Sequence, residues 1–161
     1  MIGLDFLSPD LARAGDGFEP RLSSPLRRAL EGREEIRDLS ALGKLEVRGD
    51  LDAIGEDVEL VRITPRRALV LCAPAETAAL RERLPGAVVD LTAALAGLEL
   101  QGERALRRLT DLDLEALPAV GKVAEIPCVV LREGDSFRLF FPQEYGHYLA
   151  EVVLDALAGL A

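Results

Sequence analysis

His147 is the only histidine in the chain, and Glu151 and Asp155 follow it at four-residue intervals. On a helix that spacing sets the three polar groups along one face. An imidazole next to a carboxylate is a common arrangement for general-base work. Yet Tyr145, Leu149, Val152, Val153, Ala156 and Leu160 recur at helical spacing on another face. The expectation is therefore a surface pair between His147 and Glu151, not a base held in a pocket. One histidine without a second histidine or a nearby cysteine is a poor start for a metal centre. Ser40 and Thr92 carry hydroxyls, but neither stands in the G-x-S-x-G elbow that presents a nucleophile. Cys72 and Cys128 lie within the apolar runs "LVLCAP" and "IPCVVL". A reactive cysteine needs an exposed, electropositive setting, whereas cysteine among apolar neighbours behaves as a small buried hydrophobe.

Arg104, Arg107 and Arg108, with Lys122, Arg132 and Arg138, form the candidate basic patch for an anionic ligand. Glu103 and Asp111 lie close enough in sequence to offset much of that charge, and no glycine-rich phosphate cradle is present. The formal net charge is −9 over 161 residues. Phosphate backbones are held by concentrated Lys and Arg, so this balance argues against a nucleic-acid partner. The start, "MIGLDFLSPD", has no basic region followed by an apolar run, and no stretch approaches the ~20 apolar residues that span a bilayer. The expected setting is cytoplasmic, without a membrane partner. Hydrophobic residues make up 49% but aromatics only 4%, with no Trp. The core must then rest on Leu, Val, Ile and Ala.

The elements that would position these groups are written twice. "DLSALGKLEVRGD" at 38–50 returns as "DLTAALAGLELQGE" at 90–103. Asp38 and Asp90 each precede a hydroxyl residue, Ser40 or Thr92, by two positions, which suits an Asx turn or local cap. Gly49 and Gly102 then suit the crossing from strand to helix. Each copy ends alike: "ALVLCAPAETAALRERL" and "SFRLFFPQEYGHYLAEVVL" both read as strand, proline and amphipathic helix, with Pro74 and Pro142 at the helix starts. The reading is a strand-strand-helix-strand-strand-helix unit repeated over about 35–84 and 87–157. "ERALRRL" at 103–109 is its short helix and "KVAEI" one of its strands. Such units give an α+β fold with mainly antiparallel sheet, one domain over 25–161. "PLRRALEG" at 25–32 reads as a short helix ended by Gly32. Residues 1–24 form a Gly- and Pro-broken arm in which Leu4, Phe6, Leu7 and Phe18 are candidate anchors for a partner surface.

The combined pattern resembles the gamma subunit of heterotetrameric sarcosine oxidase, a family related to the folate-binding domain of the glycine-cleavage T-protein, an aminomethyltransferase. The residues that carry the resemblance are "SPL" at 24–26, "RDLSALGKLEVRG" at 37–49, "VVDLTAALAGLELQGERALRRLTDLDLEALPAVGKV" at 88–123 and "FRLFFPQEYGHYLAEVVLDAL" at 137–157. The resemblance implies a two-lobed, folate-binding-domain-like fold. It implies a non-catalytic companion that docks onto larger flavin-bearing oxidase subunits, with flavin, dinucleotide and folate held by those partners and no cofactor in this chain. The chain shows no match for the carboxylate that orients folate in the T-protein, nor for the tyrosine–arginine stretch near it. A stand-alone tetrahydrofolate-binding protein is the alternative the resemblance leaves open.

Overall fold

The computed structural model describes residues 23–160; the candidate anchors Leu4, Phe6, Leu7 and Phe18 lie outside the described residues. The first copy of the repeated unit supplies β1 (Ile36–Asp38), β2 (Gly43–Arg48), β3 (Glu59–Thr64), β4 (Arg67–Cys72) and the helix α1 (Thr77–Arg83). The second supplies β5 (Ala87–Asp90), β6 (Leu95–Gln101), α2 (Glu103–Leu106), β7 (Ala119–Val123), β8 (Ile126–Glu133), β9 (Ser136–Pro142) and α3 (Gly146–Ala158). Every strand pairing is antiparallel, so the fold is α+β with two antiparallel sheets.

One sheet runs β3-β4-β2-β5 and the other β1-β6-β9-β8-β7. When each element is matched to its counterpart, the first order becomes β8-β9-β6-β1, which is the second sheet without β7. The two copies of the unit do not make separate sheets. Edge strand β1 pairs with β6 of the second copy, and edge strand β5 pairs with β2 of the first.

Strand alternation explains the layering. Leu45, Val47, Ala68 and Val70 point to one face of the four-stranded sheet, where Leu80 and Leu84 from α1 and its end cover them. Leu69, Leu71 and Val61 point to the other face and meet Leu39, Leu131 and Phe140. The five-stranded sheet buries Leu98, Leu100, Phe137, Leu139 and Phe141 on its far face, beneath Leu149 and Val153 of α3. The order is helix, sheet, sheet, helix, with one apolar layer in each gap.

Four local expectations are corrected. Residues 25–32 form linked turns instead of a helix, through Arg27 N–H to Ser24 O (3.2 Å) and Leu30 N–H to Leu26 O (3.0 Å). Eight residues seldom sustain a helix without packing, and this segment is fixed by Leu26, which is fully buried in the same core as α3. The run "KVAEI" is not one strand. Ala124 and Glu125 adopt positive φ (47° and 67°) and turn the chain between β7 and β8, in positions usually given to Gly, Asn or Asp. The helix expected over 103–109 ends at Leu106 and continues as turns. Finally, the buried stripe of α3 is Gly146, Leu149, Ala150, Val153 and Leu154. Tyr145, expected on that stripe, is 40% exposed. It sits in a 3-10 turn, Gln143–Tyr145, ahead of the regular helix and out of phase with it.

Leu149→Ala is expected to cost about 2–5 kcal/mol of unfolding free energy in urea titration. Tyr145→Ala and His147→Ala should each cost less than about 1 kcal/mol. Equal losses at all three positions would show the helix to be rotated from the orientation described.

Candidate functional site

The repeated phrase closes on itself where the two copies meet. Asp38 Oδ1 accepts the Ser40 N–H (2.8 Å) and Asp90 Oδ1 accepts the Thr92 N–H (2.9 Å). Each Asx turn aims its hydroxyl residue at the other copy. Ser40 Oγ accepts the Gly97 N–H of β6 (3.2 Å), and Thr92 Oγ1 accepts the Lys44 N–H of β2 (3.1 Å). The backbone completes the exchange: Leu39 N–H donates to Gly97 O and Leu91 N–H to Lys44 O, both at 2.8 Å. Gly97 and Lys44 therefore hold equivalent places.

Their side chains differ as far as two residues can. A Cβ at Gly97 would lie 2.8 Å from the Phe140 ring and 3.1 Å from Leu39 Cβ, so the ring fills that side. At the other place the Lys44 side chain fills the space and is fully buried. Its Nζ donates to Ser40 O (2.8 Å) and Leu42 O (2.7 Å). No carboxylate is among its hydrogen-bond acceptors. Desolvation pulls the ammonium down to about 8, against the opposing attraction of the Asp38 and Asp90 carboxylates. Asp90 is itself held below the usual carboxylate range, chiefly by its hydrogen bonds from Thr92.

A cavity of about 430 Å³ opens beside this clasp, lined by Ser40, Ala41, Pro74, Thr92, Ala93 and Gln143, with Ser24 and Pro25 at one wall. The repeat brings Ser40, Thr92 and Pro74 to this cavity. Pro142 pairs with Leu95 in the sheet and places Gln143 on the wall. Gly49 and Gly102 stand at the opposite ends of β2 and β6, with φ of 148° and 83°, and take no part in it.

Most of the other chemistry-bearing residues are paired locally or buried. His147 Nε2 lies 3.3 Å from Glu151 Oε1 in an exposed pair. Cys128 is buried, and desolvation pushes its thiol up to about 12. Arg107 bonds to Glu103, Lys122 to Glu125 and Arg138 to Glu59. Arg132 contacts Glu103 and Glu115, and Arg108 donates to Gly159 O. Arg107, Arg108 and Lys122 line one open depression together with Asp111 and Glu125, so acidic neighbours offset the candidate patch there, and Arg132 and Arg138 do not line it. Among the described residues no group of His, Cys, Asp and Glu is arranged to hold a metal ion, and no helix is long and apolar enough to cross a membrane.

Sequence reasoning missed Lys44 and a second buried ion, Glu46. Burial pushes the Glu46 carboxyl up, but hydrogen bonds from Arg67 and Arg48 outweigh that and hold it below its ordinary value. The available signals were slight: Lys44 is one of only two lysines, and it stands where the second copy has glycine.

The two-sheet architecture defines a class that solved structures share. The chain has the fold of a chain in the heterotetrameric sarcosine oxidase from Corynebacterium sp. U-96 in complex with pyrrole 2-carboxylate. The TM-score is 0.69 at 19% identity, over 86% of this chain and 95% of that one. The likeness read from the sequence is thus present in the three-dimensional fold. Weaker matches are the ligand-free regulatory subunit of aspartate kinase from Thermus thermophilus (TM-score 0.48, 9% identity, 76% of this chain and 97% of that one) and aspartokinase alpha and beta subunits (0.46, 13%, 78% and 98%). No family model matches the chain, and no curated protein matches it.

Two outcomes test the clasp. Ser40→Ala and Thr92→Val each leave a buried strand N–H unpaired and should each cost about 1–3 kcal/mol in urea unfolding; losses under about 0.5 kcal/mol would remove the clasp from the fold's supports. For Lys44 the folded-state value lies below the unfolded one. The unfolded chain therefore binds more protons between about pH 8 and pH 10.5, and the Lys44 contribution to stability rises with pH across that window. Lysine Cε resonances followed by NMR should include one with a midpoint near 8, absent in Lys44→Met. Midpoints above about 10 for both lysines would refute this.

Proposed function

We propose that the chain is a non-catalytic, gamma-type subunit of a heteromeric, sarcosine-oxidase-like flavin amine oxidase in the cytoplasm, and that it acts by docking and scaffolding. The observation that carries this reading is the likeness to a chain of heterotetrameric sarcosine oxidase, which spans 95% of that chain. The state of the polar groups supports it. Ser40 and Thr92 are engaged by backbone N–H groups, Lys44 Nζ is spent on two carbonyls, and the Cys128 thiol is buried and far from its reactive form. Acid–base chemistry on an amine requires positioned groups with tuned pKa values, and hydride removal requires a redox cofactor. In this reading flavin and dinucleotide belong to the larger subunits. The 1–24 arm, with Leu4, Phe6, Leu7 and Phe18, adds apolar contact area to the docked state.

One observation favours the second reading, a stand-alone tetrahydrofolate-binding protein. The cavity at the junction has a volume of about 430 Å³, within the range of small-molecule sites.

Co-expression with flavin-bearing amine-oxidase subunits from the same genome should yield a complex that survives gel filtration, and the isolated chain should turn over no sarcosine. Calorimetry of the isolated chain with tetrahydrofolate should show no saturable heat. Saturable micromolar binding without complex formation would reject the subunit reading in favour of the folate binder.

A further inference from the structure

Arg48 of β2 and Arg67 of β4 are directly opposite one another in the sheet, where two like charges repel. Glu46, buried beneath them, holds both. Arg48 Nε and Nη2 each lie 2.6 Å from Glu46 Oε1. Arg67 Nε and Nη2 lie 2.8 and 2.5 Å from Oε2. Each guanidinium thus faces the carboxylate with one edge. It retains its other N–H donors, of five in all, on the edge turned outward, and both side chains are largely exposed. Arg66, in the turn between β3 and β4, is exposed. Its backbone carbonyl fixes the Gly49 N–H (3.0 Å). No described carboxylate takes its guanidinium. Arg48, Gly49, Thr64, Arg66 and Arg67 line one open depression. Three guanidinium groups meet there over one carboxylate, in a chain of net charge −9. The nearby Asp50 is turned away, accepting the Asp52 N–H as a helix cap.

The second copy of the unit is an internal control. There Glu99 stands in the place of Glu46, and the opposed pair is Gln101 and Ser136. Ser136 donates its hydroxyl to Glu99. Glu99 Oε2 is reached by a single arginine from the neighbouring strand, Arg37 of β1, at 3.3 Å. The opposed pair itself is neutral in that copy, so the sheet does not require two arginines facing one another. Two guanidinium groups fixed side by side over a buried counter-ion are an arrangement suited to carboxylates.

Building on the subunit reading, we propose that the Arg48–Arg66–Arg67 depression is a docking point for an acidic segment, rich in Asp and Glu, of the larger oxidase subunit. The forks of Arg48 and Arg67 receive its carboxylates side by side, and Arg66 closes over the third position.

The probes are a fluorescein-labelled hexaglutamate peptide, with hexalysine as control, and flavin-bearing oxidase subunits from the same genome. The full chain should bind hexaglutamate and not hexalysine, and binding should weaken as salt rises, because surface charge is screened beyond about 8 Å at physiological ionic strength. Arg66→Gln removes no contact within the fold, so its unfolding curve should match the wild type while peptide affinity falls about tenfold. Arg48→Gln with Arg67→Ser, which places the second copy's opposed pair at this position, should abolish binding. The same variants should slow or prevent assembly. Unchanged peptide affinity in Arg66→Gln, or normal assembly by a variant that combines Arg48→Gln, Arg66→Gln and Arg67→Ser, overturns this site while leaving the subunit reading intact. A wild-type chain that fails to assemble overturns the subunit reading, and with it the partner named here, even where hexaglutamate binds.

Discussion

The fold depends on a reciprocal exchange of hydrogen bonds between the two copies of one phrase. Ser40 and Thr92 each accept a strand N–H from the opposite copy, and Leu39 and Leu91 each donate to the opposite strand. A buried N–H left unpaired costs about 1–3 kcal/mol. Neither copy can therefore keep its central strand satisfied without the other. The edge strands follow the same logic: β1 completes the second copy's sheet and β5 the first's. An exposed sheet edge invites unwanted pairing, and the exchange covers one edge of each central strand with a strand from the neighbour. Separation of the halves would expose both edges and break all four exchange bonds, so the junction couples their folding.

Under that constraint the two matching segments differ in side chain where the backbone is already satisfied. Gly97 admits the Phe140 ring, whereas its counterpart Lys44 lies opposite Leu71 and fills the gap with its own stem. The Lys44 ammonium costs desolvation energy there, offset in part by two carbonyl acceptors and the field of Asp38 and Asp90. An apolar residue of similar volume is often no less stable at such a buried charge, but here it would strand the carbonyls of Ser40 and Leu42. The same difference separates Glu46, clamped by two arginines on the facing strand positions, from Glu99, held by Ser136 and by Arg37 of β1.

The α+β class with mainly antiparallel sheet was legible because the apolar alternation is strong and the phrase is repeated. Asp38, Ser40, Asp90 and Thr92 were also legible as residues of local turns, since an Asx turn is encoded within three positions. Their hydroxyl partners were not: Gly97 and Lys44 are 57 and 48 residues away, and no local pattern encodes a contact across copies. Arg48 and Arg67 meet for a similar reason, through strand register alone. The hairpin at Ala124–Glu125 escaped notice because tertiary packing imposes positive φ on residues that do not favour it. Tyr145 was misplaced because a single 3-10 turn shifts the phase of the following helix.

The charge distribution bears on how such a chain engages a larger protein. A net charge of −9 gives a field that repels acidic surfaces in most orientations, and screening limits that field to about 8 Å at physiological ionic strength. Within that range the local sign decides, and at the Arg48–Arg66–Arg67 depression three guanidinium groups outnumber one carboxylate. An acidic segment there meets local attraction against a repulsive overall field. Such contrast adds less to affinity than it does to orientation and encounter rate. In the proposed docking the arginine depression sets the pose and apolar burial supplies the affinity, so substitutions at the arginines should act on assembly rate and register before they act on the stability of a complex already formed.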